Sequence, residues 1–323
     1  MEIKILTPNF KLLYVLDGAT SLSYTESFQD AGELQMTLPY TASLYKMLLP
    51  SNRLLVEDLI YTIEKTELEN GEIKVRALGL FDHFSHMYIG TPTYMSSTPA
   101  TLVAQLASVA DFEGVNYTYY GLTLRENPIM VMEWFVDYKS VLTKIFKKYA
   151  LGYRMSYDYA SGELAFRLLQ VFDKAYNEQN RVIVSDQRDC YELLSCIKDM
   201  DNYKNKIEIF QWSATIGDYI SKTYDRSGAE PKRTLSYLAS VPAENEAELI
   251  AGFDTIADNL FAKHQKRELY KIRMLTDMGI RVGDVCAFEC RLMDAPMGAY
   301  VSDRYVNYKN GKREEILIME IEQ

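Results

Sequence analysis

The sequence has few of the residues that usually carry catalysis or bind metals. Its 323 residues include only three histidines, four cysteines and two tryptophans. It contains no G-x-G-x-x-G, G-x-x-x-x-G-K-[ST], G-x-S-x-G or H-E-x-x-H motif, so the common ways of cradling phosphate, exposing a nucleophile or seating zinc are missing. We therefore predict that the protein is not an enzyme, that it has no catalytic, cofactor-binding or metal-binding residues, and that it needs no cofactor.

Long apolar runs are also absent. Runs such as residues 129–132 and 285–288 are far shorter than the roughly 18 residues that a membrane-spanning helix needs, so we expect no stable membrane insertion. Glycine (16) and proline (9) are too scarce for a low-complexity or collagen-like chain. No apolar stretch follows a basic start at the N-terminus, so we expect no secretory signal and synthesis in a reducing cytoplasm.

The remaining composition is typical of a folded, acidic protein. Hydrophobic residues make up 48% of the chain and charged residues 25%, with a formal net charge of −10. At roughly 150 residues per domain, the length predicts about two domains with real cores. Tyrosine is unusually frequent, with 25 residues. Its apolar ring and polar tip suit half-buried strand faces, sugar-binding grooves and subunit interfaces.

The cysteines do not form a recognisable site. Their spacings of six (Cys190, Cys196) and four (Cys286, Cys290) match no zinc framework. Residues four apart in a strand share a face but lie too far apart to chelate a metal easily. We interpret all four as buried thiols.

The histidines allow one metal hypothesis, which we consider weak. His83 and His86 would lie on one side of a helical turn, but neither a cysteine nor a cluster of acids is near them in the sequence. His264 follows a long predicted helix, where a cation complements the helix dipole, so we predict a capping role for it.

Acidic pairs offer a general acid and base only in a non-specific way. A glycosidase needs two carboxylates roughly 5–10 Å apart across a cleft, and a chain with 45 acidic residues always offers such pairs. The candidates are Asp17, Asp30 and Glu33 near the N-terminus, and Glu64, Glu67 and Glu69 on a predicted hairpin.

Two basic clusters are interpreted as solvated helix faces. Lys144, Lys147 and Lys148 form one cluster, and residues 263–273 contain the other. On a chain of net negative charge, a nucleic-acid site is the weaker reading of both. An acidic surface elsewhere would instead suit a conduit for DNA, because like charge discourages sticking.

Residues 1–95 have strand-like patterns. Between residues 33 and 38, apolar side chains alternate with polar ones, which indicates one buried face. Asn70-Gly71 separates two further β-rich runs, residues 59–68 and 72–80, and predicts a type I′ hairpin.

From about Ser96 onward, the apolar residues recur at helical spacing. Thr98-Pro99 predicts a capped helix start, a second helix opens after Asp137, and Gly152 is its predicted stop. A long helix is predicted from Pro242 to about Lys266.

Strands return near the C-terminus, where residues 302–309, Asn310-Gly311 and residues 312–321 repeat the strand, Asn-Gly, strand layout. This repeat either marks a duplicated β-domain or is a coincidence, since Asn-Gly is a common hairpin turn.

These patterns together resemble a known family. The segment Tyr24-x-x-x-Phe28-x-Asp30-Ala31-Gly32-Glu33-Leu34-x-Met36-x-Leu38-Pro39, followed by Leu49 to Leu54, the first Asn-Gly hairpin and Ala77-Leu78-Gly79, looks like the N-terminal domain of tail-hub proteins from siphophages of Gram-positive bacteria. Residues 280–285 (Ile-Arg-Val-Gly-Asp-Val) are similar to the last β-domain of that family.

The resemblance implies a structural protein of a phage or prophage virion. Such proteins form a trimeric ring at the tail tip, or baseplate hub, in which two β-barrel domains per subunit surround a channel. The implied partners are further copies of the chain, a distal tail protein, a tape-measure protein and receptor-binding or tail-fibre proteins, with DNA passing only transiently. The sequence stops at Gln323 after its last predicted strand, so we expect lytic or receptor-binding work to belong to another chain.

We therefore predict an α+β fold with two β-barrel-like domains and intervening small α/β and helical elements, made in the host cytoplasm and located at the tail tip. The alternative function is a carbohydrate- or cell-wall-binding module, suggested by the tyrosines and the many strands. The predicted segments are an N-terminal barrel-like domain (1–95), a small α/β domain (96–180), a β segment of the second barrel-like domain (181–240), a long helix (241–266) and a C-terminal β segment completing that domain (267–323).

Overall fold

The structure is a computed structural model, and two compact units make up the chain. Unit 1 contains Met1–Ser195 and Tyr270–Glu322, and unit 2 contains Cys196–Leu269. The predicted five-segment division stays a prediction. The residues that the structure describes are 2–88, 93–110, 112–121, 129–133, 136–149, 151–170, 182–213, 217–239, 241, 245–293, 295–309 and 311–321.

Strands dominate the described chain, with four α-helices and two short 3-10 helices among them. The elements, in chain order, are β1 (Ile3–Leu6), β2 (Leu12–Leu16), β3 (Ser21–Ser27), β4 (Glu33–Pro39), α1 (Ala42–Met47), β5 (Arg53–Val56), β6 (Leu59–Glu69), β7 (Glu72–Gly79), a 3-10 helix (Leu80–His86), β8 (Thr93–Ser97), α2 (Pro99–Ser108), β9 (Asn116–Tyr120), β10 (Ile129–Glu133), α3 (Tyr138–Tyr149), β11 (Leu151–Asp158), β12 (Glu163–Gln170), β13 (Val182–Ser185), a 3-10 helix (Asp186–Arg188), β14 (Tyr191–Asp199), β15 (Lys206–Ser213), β16 (Asp218–Asp225), β17 (Thr234–Leu238), α4 (Glu246–Lys263), β18 (Arg267–Met274), β19 (Val285–Glu289), β20 (Met297–Lys309) and β21 (Lys312–Ile321).

Thirteen strands form one large sheet. Its main path runs β14, β18, β21, β20, β3, β4, β7, β6, β5, β1, β2, and β19 joins it by pairing with β20 and with β13. The central join is antiparallel pairing of β20 with β3, over seven residue pairs from Asp303↔Ser27 to Lys309↔Ser21. The last strands of the chain therefore continue the sheet that the first strands begin.

The N-terminal strands curl around a shared core. Inward side chains from β1, β3, β4, β5, β6 and β7 all contribute to one apolar cluster, together with α1 and Val306 of β20. Among the described strands, no pairing joins β2 to β14 at the two ends of the path. The predicted fold is confirmed as far as it is mainly β with few helices, while the two β-barrel-like domains stay a prediction.

Gly32 and Gly79, which belong to the segments that resemble tail-hub proteins, lie close together in this part of the sheet. The Gly79 amide donates to the Gly32 carbonyl at 2.7 Å. A Cβ on Gly32 would lie 1.9 Å from the carbonyl oxygen of Thr25, closer than any real contact. Only a residue without a side chain allows β3 and the entry to β4 to approach this closely.

Helices α2 and α3 of unit 1 lie over a second core. Thr98 caps α2 by accepting from the Thr101 amide at 3.3 Å, with Pro99 at the first helical position, as predicted. The apolar faces of α2 and α3 pack with β11 and β12 into one cluster. Aromatic rings fill its centre, where Phe81 stacks on Tyr153 with centroids 4.1 Å apart.

Unit 2 is a three-stranded sheet with one helix. β15 lies in the middle, with β16 antiparallel on one side and β17 parallel on the other. Helix α4 covers one face, where Ile207 and Ile209 pack against Leu249 and Phe253. The predicted long helix is confirmed, and its apolar stripe faces this sheet because the stripe repeats at helical spacing.

Local turn chemistry is mostly as predicted, with one error. Asn70 (φ 52°) and Gly71 (φ 79°) both occupy the left-handed region, which confirms the type I′ turn between β6 and β7. Gly152 does not stop α3, which ends at Tyr149; it lies in β11, where a Cβ would meet the Phe28 carbonyl oxygen at 2.4 Å. The prediction of a helix stop was therefore wrong, because the glycine allows β11 to approach the backbone of Phe28, just after β3. Asn310 of the second Asn-Gly pair lies outside the described residues.

Several tyrosines are more deeply buried than we expected from their amphipathic character. Tyr61 and Tyr153 donate their hydroxyls to the backbone carbonyls of Thr25 and Asp30, at 3.0 and 2.8 Å. Burial raises the pKa of both phenols well above the usual value. These rings add apolar volume to the core while their hydroxyls are satisfied by hydrogen bonds to backbone carbonyls. In the part of the chain that the structure describes, no helix is both long and apolar enough to span a membrane.

Candidate functional site

A cluster of charged side chains is buried in unit 1 where β3 pairs with β20, next to β21. Arg304 of β20 is only 2% exposed. Its Nη1 donates to Glu26 Oε2 at 2.7 Å and its Nε donates to Glu315 Oε1 at 2.6 Å. Both carboxylates are themselves less than a tenth exposed. Buried charges require such pairing, because an unpaired ion in the interior costs several kcal/mol.

Two further arginines extend this cluster, which we call the ionic cluster. Arg281 donates from Nη2 to Asp58 Oδ1 at 2.6 Å, and its Nη1 lies 3.1 Å from Glu57 Oε2. Arg313 approaches Glu315 Oε2 at 2.9 Å from its Nη2. The ionic cluster thus consists of the guanidinium groups of Arg281, Arg304 and Arg313 and the carboxylates of Glu26, Glu57, Asp58, Asp277 and Glu315.

The strand pattern explains why these charges point inward. Glu26 is in phase with the buried Leu22 and Tyr24 along β3, and Glu315 is in phase with the buried Leu317 along β21. In β20 the register shifts between Val301 and Asp303. This bulge moves the inward phase by one residue, so that Arg304 faces inward directly opposite Glu26.

Glu57 is held in an unusual backbone conformation. It lies in the tight turn between β5 and β6 with φ 58°, which costs a non-glycine residue on the order of 1–3 kcal/mol. Its Oε2 lies 3.3 Å from Arg304 Nη2 and 3.1 Å from Arg281 Nη1. Burial by itself would raise the pKa of Glu57, but Arg304 and Arg281 outweigh it and hold the pKa below the usual value. The ion pairs therefore offset the strain of the turn.

The pKa values of Arg281 and Arg304 are raised, which favours their charged forms. Burial by itself would lower the pKa of Arg281, but Glu26 and Asp58 raise it above its usual value. Arg304 behaves in the same way, mainly through Glu26 and Glu315. The Glu57 carboxylate and the Arg281 and Arg304 guanidinium groups are therefore charged near neutral pH. Its carboxylates are occupied by guanidinium groups, an arrangement that suits a structural latch between distant strands better than proton transfer.

An open depression adjoins the ionic cluster. It has a volume of about 580 Å³, and Glu57, Asp58, Asp158, Tyr157 and Tyr159 are among its lining residues. Two of these acids already pair with arginines of the ionic cluster. The Asp158 carboxylate accepts from the Ala160 amide at 2.9 Å and the Ser161 hydroxyl at 2.7 Å, which hold its pKa below the usual value. The acidic lining is thus engaged in local structure.

The structure does not bring the sequence-derived chemical candidates together. All four cysteines are free thiols; Cys286 and Cys290 are buried, whereas Cys190 and Cys196 are half-buried. The prediction of buried thiols holds for Cys286 and Cys290 only. Burial raises the pKa of the Cys286 thiol to about 12. In the described ranges, no group of three or more His, Cys, Asp or Glu side chains is placed to hold a metal ion.

The histidines occupy structural positions. His83 lies in the first 3-10 helix with its ring 4.8 Å from that of Phe112. His264 is the C-cap of α4, and its Nδ1 is 2.9 Å from the Asn202 carbonyl oxygen. The predicted capping position of His264 is confirmed.

The candidate acids are separated along unit 1, and several have basic neighbours. Glu33 accepts from Arg76 Nε at 2.8 Å, and hydrogen bonds from Gln35 and Arg76 lower its pKa. Glu67 pairs with Lys65 at 2.5 Å and Glu69 pairs with Lys74. Asp30 lies 3.5 Å from Lys139, while Asp17 and Glu64 are exposed.

The predicted basic clusters are partly neutralised. Lys266 pairs with Glu230 at 2.6 Å, and Arg273 pairs with Glu192 and Glu314 at 2.5 and 2.7 Å. On α3, Lys144 and Lys147 are exposed, in agreement with a solvated helix face, whereas the side chain of Lys148 lies outside the described set.

The ionic cluster was missed by sequence reasoning. A usable signal existed, since Glu26 and Glu315 occupy apolar phases of alternating strands. Arg304 carried no such signal, because the bulge that turns it inward is not visible in the sequence.

Comparison with known proteins identifies the fold. No protein-family model matches the sequence, and no curated protein matches it. The tail protein from Neisseria meningitidis MC58 superposes with a TM-score of 0.67 at 11% identity, covering 99% of this chain and 96% of that one. Prophage tail protein gp18 from Listeria monocytogenes EGD-e gives 0.60 at 10% identity, covering 98% and 94%.

A secretion protein shares the fold as well. The E. coli c3393 protein, a component of the type VI secretion system that is structurally similar to the T4 phage tail proteins gp27 and gp5, gives a TM-score of 0.55 at 8% identity, covering 94% of this chain and 73% of that one. At these identities the likeness concerns the fold alone. Over nearly its whole length, the chain has the fold of phage tail proteins and of this type VI secretion component.

Proposed function

We propose that the protein is a structural component of a bacteriophage or prophage tail, located at the tail tip or baseplate as its hub. The observation that carries this proposal is the whole-length fold match to two tail proteins, of which 96% and 94% are covered. Such coverage means that the complete architecture is shared, and not one widespread module. A host among Gram-positive bacteria is part of the proposal.

The ionic cluster supports a structural role. It ties β3 and the turn at Glu57 to β20 and β21, which are distant in sequence. Separating these strands would expose or orphan several buried charges at once, which is strongly unfavourable. The ionic cluster therefore holds β3, the turn at Glu57, β20 and β21 together, as a tail component that must keep its geometry would require.

An apolar sheet edge supports assembly with other chains. Strand β2 is the last strand of the large sheet, and Leu12, Leu13 and Tyr14 are 43%, 41% and 47% exposed. Exposed apolar edge strands invite pairing with another chain, so soluble proteins usually protect them. We infer that this edge is covered in the assembled particle.

In the proposed particle, three copies form a ring that closes the tail tube and carries other tail proteins. The distal tail protein, the tape-measure protein and receptor-binding or tail-fibre proteins are the proposed partners, and DNA passes through the channel only transiently. The protein is made in the host cytoplasm and ends in the virion.

Light scattering coupled to size exclusion tests the ring directly. A species of three times 37.2 kDa at tens of micromolar protein, with rings in electron micrographs, is the expected result. Leu13→Lys should weaken assembly if β2 is an interface, whereas Ser23→Lys, at an exposed position of β3, is the matched control. A strictly monomeric protein that forms no rings and does not bind the distal tail protein of its own gene cluster would contradict the proposal.

A further inference from the structure

Unit 2 presents one uncovered sheet face. Exposure alternates along β17 and, from Tyr219 onward, along β16: the side chains that face α4 are half-buried, and those on the opposite face are exposed. On the central strand β15, Ile207 and Ile209 face the helix and are fully buried. The opposite face, which we call the open face, has no helix over it among the described residues. It carries residues 206, 208, 210 and 212 of β15, 219, 221, 223 and 225 of β16, and 234, 236 and 238 of β17.

One end of the open face is aromatic. Trp212 and Tyr219 stand directly opposite each other on neighbouring strands. Their rings are 5.3 Å apart at 74°, and each residue is 53% exposed. Phe210 is the next residue of β15 on this face, and Leu238 lies opposite it with 68% exposure. Large rings exposed side by side are costly to leave in water, which points to a ligand that covers them.

The rest of the open face carries hydroxyl groups and little net charge. The part of the open face farther from Trp212 and Tyr219 contains Lys206 and Glu208, which form an ion pair with each other. The remaining polar side chains there are Ser221, Thr223, Asp225, Thr234 and Ser236. Because the one lysine is neutralised within the face and Asp225 is paired with Lys232 at 2.8 Å, the face favours an uncharged ligand that forms hydrogen bonds.

The size of the open face argues against a protein partner. Strands lie about 4.8 Å apart and rise about 3.3 Å per residue, so three strands of five to eight residues offer roughly 400 Å². A stable protein interface buries about 800 Å² on each partner. The aromatic residues also lie at one end of the face, whereas protein hot spots cluster centrally inside a polar rim.

We propose that the open face of unit 2 binds a neutral glycan chain. The C–H face of one pyranose ring would pack on Trp212 and the next sugar would contact Tyr219, whose ring stands at 74° to that of Trp212. Sugar hydroxyls would exchange hydrogen bonds with the Ser and Thr hydroxyls of the neighbouring rows. This function is additional to the tail role and does not depend on ring formation, since unit 2 supplies every residue of the site.

Tryptophan fluorescence gives a direct assay. The chain has two tryptophans, so a Trp134→Phe background leaves Trp212 as the only reporter. N-acetylchitohexaose and cellohexaose are the neutral probes, and oligogalacturonate is the acidic control. Saturable change of the Trp212 emission with at least one neutral probe, and not with the acidic one, is the expected result.

Variants test the assignment to this face. Removing one stacking ring should weaken binding about tenfold, which corresponds to about 1.4 kcal/mol. Tyr219→Ala in the Trp134→Phe background, and Trp212→Ala measured by calorimetry, should both show this loss. Tyr40→Ala removes an exposed ring (44%) from unit 1 and should bind like the parent. Circular dichroism confirms that each variant is folded.

Several outcomes would overturn the proposal. These are no response to either neutral probe at millimolar concentration, equal binding by Tyr219→Ala, or stronger binding of the acidic probe. Loss of assembled mass in Trp212→Ala would also overturn it, because the face would then be a protein interface. Light scattering on the same samples reports ring formation separately, so failure here is distinguishable from failure of the tail role.

Discussion

Replacing Arg304 by methionine should destabilise unit 1 strongly. Methionine keeps an apolar chain of similar reach but removes the guanidinium that Glu26 and Glu315 contact at 2.7 and 2.6 Å. Breaking a buried ion pair by deleting one partner costs about 3–5 kcal/mol, since the other charge is left uncompensated.

The neighbouring arginines moderate this cost. Arg281 Nη1 lies 3.4 Å from Glu26 and Arg313 Nη2 lies 2.9 Å from Glu315, so both orphaned carboxylates keep one cation. We therefore expect a loss at the low end of the range, about 3 kcal/mol. At roughly 2–4 °C per kcal/mol for a unit of this size, the melting temperature should fall by about 6–12 °C.

Thermal melting by circular dichroism, with hydrogen exchange of peptides from β3 and β20, measures the effect and assigns it to unit 1. The matched control is Arg76→Met, which breaks an exposed pair with Glu33 and should cost under about 1 kcal/mol. Adding Glu26→Gln and Glu315→Gln to Arg304→Met should recover much of the loss, because no buried charge is then orphaned. Equal effects of Arg304→Met and Arg76→Met, or no rescue by the glutamines, would refute the reasoning.

Three further predictions concern single positions. Gly32→Ala should lower stability by roughly 1–3 kcal/mol in urea unfolding, because its Cβ would overlap the Thr25 carbonyl oxygen; an unchanged midpoint would contradict this. The pKa of Glu57 is lower in the folded state than its value of 4.5 when unfolded. Its contribution to stability is therefore present above about pH 4.5 and is lost as the pH falls further. Glu57→Gln should make the free energy of unfolding, measured below about pH 4.5, less dependent on pH. With a thiol reagent at pH 8, Cys190 and Cys196 should react in the native protein, whereas Cys286, with its pKa raised to about 12, should react only after unfolding.

Several local features followed from the sequence because their causes are local. Asn70-Gly71 forms the predicted turn because both positions need positive φ. Thr98-Pro99 starts a helix because the threonine side chain satisfies an amide that the first turn leaves free. His264 lies at a helix end, where α4 leaves carbonyls unpaired. Each of these outcomes depends on residues within about one helical turn of each other.

Glycine illustrates the limit of such local reasoning. Gly152 looked like a helix stop, because glycine commonly follows the last helical turn. The structure uses it for a close approach of β11 to the Phe28 carbonyl, 124 residues earlier in the chain. Sequence can show that a position needs a small residue, but it does not show which segment approaches it.

The sequence by itself determined the Asn70-Gly71 turn, the capped start of α2, the long helix α4 and the scarcity of chemical residues. The tertiary structure alone decided that β20 pairs with β3, and that a bulge turns Arg304 toward Glu26, 278 residues away. It also decided that Trp212 and Tyr219 share an uncovered face. The physical reason is that alternation fixes which side of a strand is buried, whereas strand order and register are set by packing over the whole sheet.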